Sequence, residues 1–189
     1  MTADKFTHDE LIELGRGWLI KSYAACADYG HYGCGLILTE LCAATAFDEQ
    51  PDILGYSTKT TILIECKTSR ADFHADKNKP FREFEQGIGG QRWYLAPKGI
   101  IPIEALPDKW GLLEVSPDKK IHVTKHAELQ KRDFHSEMIM LVSTMRRLNI
   151  NPDGHVAIKR YDPPEKLGFK PSKKKATFYV GGEDERIYI

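Results

Sequence analysis

Asp52 follows Pro51, and twelve residues separate it from the run Glu65-Cys66-Lys67 that closes an apolar stretch. Two carboxylates and one ammonium group in that spacing suit a hard divalent cation. Magnesium takes oxygen ligands in a near-octahedral shell and is commonly held by one or two carboxylates, with waters and a substrate phosphate filling the remaining positions. An ion bound there would polarise a phosphoryl oxygen and lower the pKa of a bound water. The lysine ammonium could orient that water or offset charge developing in the transition state. A plainer reading makes Glu65 and Lys67 an ion pair at a strand end, worth about 0–1 kcal/mol if exposed, and gives Asp52 only a turn to start. The joint pattern favours metal-assisted hydrolysis over that reading.

The elements that must position these groups are legible around them. Pro51 to Tyr56 and Thr60 to Lys67 read as two strands joined by a turn around Ser57 to Lys59. In the second strand the two-residue period sends Thr61, Leu63, Glu65 and Lys67 to one face and Ile62, Ile64 and Cys66 to the other. A carboxylate and an ammonium group therefore emerge together at its end. The Cys66 side chain falls to the core face, while its backbone carbonyl, between the two site residues, is a further candidate metal ligand.

Upstream, residues 8–25 predict a helix with Leu11, Leu14, Trp18 and Ser22 on one stripe, Thr7 as N-cap and Glu10 as its capping-box partner. Leu36 to Leu41 predicts a short core strand whose one acid is Glu40. Downstream, Ser69 to Gly87 is polar and basic and reads as a helix broken at Pro80. Arg92 to Ala96, Gly111 to Val115 and Ile121 to Thr124 read as strands. Residues 134–148 form the clearest helix, with Phe134, Met138, Leu141, Val142, Met145 and Leu148 on a stripe expected to pack on the sheet. The order of elements predicts an α/β domain with a central mixed sheet flanked by helices.

With both half-motifs in a hairpin context, Pro51-Asp52 and Glu65-Cys66-Lys67 resemble the PD-(D/E)XK nuclease superfamily. The following run from Thr68 to Asp76, TSRADFHAD, looks like the MmcB-like DNA-repair proteins and related phage nucleases, in which an E-x-K strand leads into an S-x-x-D-F-x-A-D segment. The likeness is strongest over about residues 36–115. It implies a restriction-endonuclease-like core and cleavage of DNA to a 5′-phosphate product, in repair, recombination or phage DNA metabolism. It further implies Asp52 and Glu65 as ligands of Mg²⁺ or Mn²⁺, with Lys67 as the catalytic lysine. Members commonly add an acid from before the motif. Glu40 is preferred here to Glu13 and Glu10, because an acid within an apolar strand is costly unless paired or metal-bound. The alternative is a nucleic-acid-binding module that keeps the fold without cutting. RNA stays open as a partner, and nucleases of this type often act as homodimers.

Arg70, Lys77, Lys79 and Arg82 follow Lys67 against only Asp72 and Asp76, a cluster able to track phosphates without reading sequence. The plainer reading is a solvated helix face. Gln91 and Arg92, at the head of the next strand, are expected to reach the same substrate. Bulk charge adds nothing, because 27 basic residues balance 27 acidic ones.

The 189 residues suit one domain over 1–150, with a polar, basic extension over 151–189. In that extension Lys173 to Lys175 reads as a solvated run, and Ala176 to Val180 as mobile or an edge strand. No signal sequence or membrane span is evident, so a cytoplasmic protein is predicted. Cys26, Cys34, Cys42 and Cys66 contain no C-x-x-C pair and read as reduced, mostly buried thiols. His31, His74, His122, His126 and His135 are too scattered to suggest a histidine metal centre.

Overall fold

A computed structural model describes residues 6–20, 33–43, 50–77, 79, 82, 87–147, 156–158, 178–180 and 186–187. Six strands form a sheet in chain order: β1 Leu36–Thr39, β2 Ile53–Tyr56, β3 Thr61–Cys66, β4 Gln91–Pro97, β5 Gly111–Val115 and β6 Ile121–Lys125. The pairs β1–β2, β2–β3 and β5–β6 are antiparallel, whereas β3–β4 and β4–β5 are parallel. Helices α1 (His8–Ile20), α2 (Arg70–Lys77) and α3 (Phe134–Arg147) complete an α/β fold with a mixed sheet, as the element order predicts.

β3 is buried along its whole length, which explains its near-continuous apolar run: a strand covered on both faces needs no polar side. The hairpin that delivers it closes as expected. Ser57 N–H donates to the Thr60 carbonyl at 3.0 Å, and Ser57 Oγ accepts from the backbone N–H groups of Lys59 and Thr60.

One face of the sheet carries Ile53, Ile62, Ile64, Cys66, Trp93, Leu95, Leu113 and Val115 against Leu11, Ile12, Trp18 and Leu19 of α1. The helix lies close because Gly15 has no Cβ; one placed there would fall 2.5 Å from Ile53 Cδ1. The Thr7–Glu10 capping box is formed, with Glu10 N–H on Thr7 Oγ1 at 3.2 Å and Thr7 N–H on Glu10 Oε2 at 3.0 Å. The opposite face carries Leu54, Leu63, Tyr94, Ala96 and Leu112 under Phe73 of α2, Met140 of α3 and Trp110. Each fully buried large apolar side chain contributes about 1.5–3 kcal/mol. Ser22 and Pro80 lie outside the described residues.

α3 docks differently from expectation. Ser136, Glu137 and Met140 are its buried residues, while Phe134 and Met138 of the expected apolar stripe are each 64% exposed. The anchor is polar: Glu137 Oε1 accepts Thr61 Oγ1 at 2.7 Å and Gly89 N–H at 2.9 Å, and Arg132 Nε lies 3.2 Å from Glu137 Oε2. Apolar periodicity identifies the helix but not the side that packs.

The chain divides into two compact units, Met1–Met140 and Leu141–Ile189. In the second unit β7 (Val156–Ile158), β8 (Phe178–Val180) and β9 (Arg186–Ile187) form an antiparallel sheet with β8 in the middle. Phe178–Val180 of the 176–180 run is thus a central strand and not an edge; Lys173 to Lys175 and the first two residues of the run lie outside the described residues.

Candidate active site

Glu65 and Lys67 leave the C-terminal end of β3 towards α2. A short link leads into that helix, whose start is fixed locally. Ser69 Oγ accepts the Asp72 N–H at 3.2 Å, and Asp72 Oδ2 accepts the Thr68 N–H at 3.2 Å, a reciprocal cap. The cap sets the direction of α2, and Phe73 seats it in the core beside Tyr94, with ring centroids 5.0 Å apart. One turn further on, Asp76 returns over Lys67, with its Oδ1 3.3 Å from Lys67 Nζ.

Around these residues lies a connected set of charges. Lys67 Nζ is 3.4 Å from Glu65 Oε2 and 4.0 Å from Asp52 Oδ2. Asp52 Oδ2 also accepts the Cys66 N–H at 2.7 Å, which ties the residue before β2 to the motif strand, and Asp52 Oδ1 lies 3.5 Å from His8 Nε2. Arg82 grips Asp76 with two hydrogen bonds, Nε to Oδ2 at 2.8 Å and Nη2 to Oδ1 at 2.9 Å, and its Nη2 is 2.9 Å from Glu65 Oε2. Lys79 Nζ is 2.9 Å from Asp76 Oδ1. The Tyr94 hydroxyl donates to Asp76 Oδ2 at 3.0 Å, and its ring stacks on Trp110 with centroids 4.5 Å apart.

Burial and pairing act against each other here. Burial pushes the Glu65 carboxyl above the ordinary range; Arg82 and Lys67 pull it down, but Asp52 and Asp76 help keep it raised. Burial works the same way on Asp76, yet the hydrogen bond and charge of Arg82, with Lys67 and Lys79, hold its carboxyl well below the usual carboxylate range. Burial disfavours the Lys67 ammonium, but Glu65, Asp76 and Asp52 outweigh it, so Lys67 stays protonated. Burial also drives the Cys66 thiol up, so its sulfur is a core atom and no thiolate ligand.

The donor set fits a hard cation. Glu65 Oε1 is buried and has no hydrogen-bond partner, which leaves one carboxylate oxygen of the motif uncommitted. Extending the register of β2 on β3, in which Ile53 faces Ile64, sets Pro51 opposite Cys66. Proline has no N–H to give, so that strand position offers no donor to the Cys66 carbonyl, the third candidate ligand. Among the described residues no group of three or more His, Cys, Asp or Glu side chains is gathered to hold an ion by itself. A cation here would rest on Asp52, Glu65 and the Cys66 carbonyl, with waters and phosphate, in the manner of magnesium.

The remaining expected residues divide. Glu40 stands one position beyond β1, exposed, with φ +49°, and its N–H donates to the Asp52 carbonyl at 3.0 Å. It neighbours the site through its backbone, but the burial cost that favoured it is absent. Glu10 is occupied by Thr7 and Lys119, and Glu13 by Arg16. The additional acid in the cluster is Asp76, which follows the motif instead of preceding it. Its signal was the Asp72/Asp76 pair four residues apart in the quoted segment; Tyr94 and His8 had no comparable signal.

Arg82 requires correction, being 3% exposed within the cluster instead of on a phosphate-facing surface. Arg92 does too: it is wholly buried, and its guanidinium donates to the carbonyls of Gly87, Ile88, Gly89 and Lys131. Gln91 is also buried and pairs with Ile62, three residues before Glu65 and so about 10 Å along the strand. Arg70 and Lys79 do stand at the surface. Lys77 ends α2, and its side chain lies outside the described residues. Among the described cysteines Cys66 is buried, Cys34 half-buried and Cys42 exposed, so only one of these three is the buried thiol expected; Cys26 lies outside the described residues.

No family model matches the chain, and no curated protein matches it either. A solved structure of a protein of unknown function from Silicibacter pomeroyi is similar at 26% identity, over 78% of this chain and 94% of that one, with a TM-score of 0.47. Among the described residues no helix is long and apolar enough to cross a membrane.

Proposed function

We propose that this chain is a metal-dependent nuclease that hydrolyses DNA phosphodiester bonds on a restriction-endonuclease-like core, as its PD-(D/E)XK resemblance implies. One observation carries the reading: Lys67 Nζ lies 3.4 Å from Glu65 and 4.0 Å from Asp52 at the end of a buried strand, with Glu65 Oε1 left uncommitted. An ion pair that served stability alone would have no reason to leave that oxygen unsatisfied, since a buried orphan acceptor costs about 1–3 kcal/mol.

Magnesium or manganese, when bound, supplies Lewis acidity at the scissile phosphate and a water of lowered pKa. Asp52, Glu65 and the Cys66 carbonyl would hold it. Lys67, kept protonated by its three acids, is a donor to the attacking water or to a phosphoryl oxygen, not a base. Asp76 and Tyr94 fix where that ammonium stands. The water oxygen would bond to phosphorus as the bond to the 3′ oxygen breaks, with the water's proton passing to solvent and the 3′ oxygen leaving as a hydroxyl, so that the other product carries a 5′-phosphate. Arg70 and Lys79, both exposed, would meet the flanking backbone.

A second reading has its own support. Among the described residues Asp52, Glu65 and Asp76 are matched one for one by Lys67, Lys79 and Arg82, so these six side chains balance without an ion. That favours a non-cutting nucleic-acid-binding module, whose binding would not depend on metal.

The deciding experiment is cleavage of a mixed panel of labelled DNA and RNA with Mg²⁺, Mn²⁺ or EDTA, comparing the wild type with Asp52→Asn and Lys67→Ala, each checked for folding by circular dichroism. Metal-dependent cutting that drops at least ~100-fold in both variants is expected. DNA binding with no cutting by the wild type, unchanged by metal, overturns the catalytic reading in favour of the module.

A further inference from the structure

Arg82 reaches the cluster from beyond the C-terminal end of α2. It is 3% exposed, stands 5.5 Å over the Trp110 ring, and divides itself between two carboxylates. Two of its hydrogen bonds go to Asp76, and a further polar contact, 2.9 Å from Nη2, goes to Glu65 Oε2. A guanidinium cannot shed its charge. A divalent ion held by Glu65 would therefore face a fixed positive charge on the same carboxylate, in surroundings where like charges repel far more than in water.

We propose that Arg82 is a built-in counterion that neutralises Glu65 while no metal is bound, and that it leaves Glu65 Oε2 and keeps its hold on Asp76 when a divalent cation binds. This rests on the metal-dependent reading above. The displacement required is small, because both bonds to Asp76 are already in place. Asp76, held ionised, is the acceptor that lets Arg82 leave without becoming an unpaired buried charge. The described charges of the cluster balance beforehand, so a bound ion adds two positive charges, and phosphate is the natural balance. Metal and phosphodiester should bind with positive coupling.

The test is Mn²⁺ binding by calorimetry to the wild type, Arg82→Gln and Arg82→Lys, with and without a short DNA strand. Arg82→Gln should bind Mn²⁺ at least tenfold more tightly than the wild type, Arg82→Lys should stay within about threefold of it, and DNA should tighten Mn²⁺ binding most in the wild type. If Arg82→Gln does not fold, the wild type alone decides: Mg²⁺ titration should shift the side-chain N–H resonances of Arg82. Equal Mn²⁺ affinity in a folded Arg82→Gln, or unmoved Arg82 resonances on a saturating titration, overturns the counterion role and leaves the metal site standing. Mn²⁺ binding to no form, with or without DNA, removes the metal site itself and this inference with it.

Discussion

Asp76 Oδ2 accepts a hydrogen bond from the Tyr94 hydroxyl at 3.0 Å, joining α2 to the strand position that pairs with Glu65 in the parallel ladder. The bond links a charged helix residue to the interior of the sheet. Tyr94→Phe should keep the ring stack on Trp110, lose one buried hydrogen bond, and lower stability by about 0.5–1.5 kcal/mol in urea unfolding. A loss under about 0.3 kcal/mol would mean the bond is not maintained in solution.

Asp76 and Glu65 should respond in opposite ways to neutralisation. Asp76 titrates in the folded chain below its ordinary 3.8, so the stability it contributes is present above that pH and is lost as pH falls through the lower folded value. Asp76→Asn should cost about 3–5 kcal/mol at neutral pH, because Lys67 and Arg82 lose a buried partner, and the variant's stability should fall less steeply below pH 4 (roughly) than the wild type's. Urea titrations at a series of pH values give both readings.

Glu65 has the opposite sign. Its folded pKa is raised above 4.5, so its contribution is present below that pH and fades as pH rises through the folded value. Glu65→Gln should therefore cost less stability at neutral pH than Asp76→Asn, while abolishing metal-dependent cutting. A Glu65→Gln variant as unstable as Asp76→Asn would contradict the assignment of burial as the dominant influence on Glu65.

Glu137 should prove a structural carboxylate with no part in chemistry. Glu137→Leu leaves Thr61 Oγ1, the Gly89 N–H and Arg132 short of an acceptor and should cost about 3–5 kcal/mol. Thermal unfolding with and without Mn²⁺ separates this from the site: the metal-induced rise in Tm should match the wild type's.

Salt dependence sorts the arginines and lysines. Arg70→Ala and Lys79→Ala should each reduce the slope of log binding against log salt by about 1 if each meets one phosphate. Arg92→Met should leave that slope unchanged and lower stability instead, because its guanidinium serves backbone carbonyls. A changed slope in Arg92→Met would place it at the nucleic acid after all.

The parts of the site that sequence makes legible are those built locally. Alternation in β3 assigns Glu65 and Lys67 to one face, and a four-residue turn fixes the approach of Asp52. Asp76 escapes that logic, since a charged residue in a polar helix reads as solvated until the cap at Ser69 and the seat of Phe73 give the helix its direction. Arg82 and Arg92 escape it for another reason. Their residue type suggests a surface, and their burial depends on distant partners, Glu65 and Trp110 for Arg82 and the Lys131 carbonyl, beside three nearer ones, for Arg92. α3 shows the same limit: its apolar spacing is real, but Glu137 decides which side docks.

The hairpin also bears on the order in which the site is built. Asp52 and Glu65 meet across a connection of a few residues, whereas Tyr94 reaches Asp76 only after β4 has paired in parallel, and loop-closure entropy makes the first event the easier. Folding kinetics of conservative core variants should show Ile53→Val and Ile64→Val slowing folding more than Leu113→Ala, relative to their effects on stability. Asp52 and Glu65 would then be neighbours before Asp76 and Tyr94, which fix Lys67, arrive, so on the metal-dependent reading a newly made chain would pass through a stage able to capture an ion before it is able to use it.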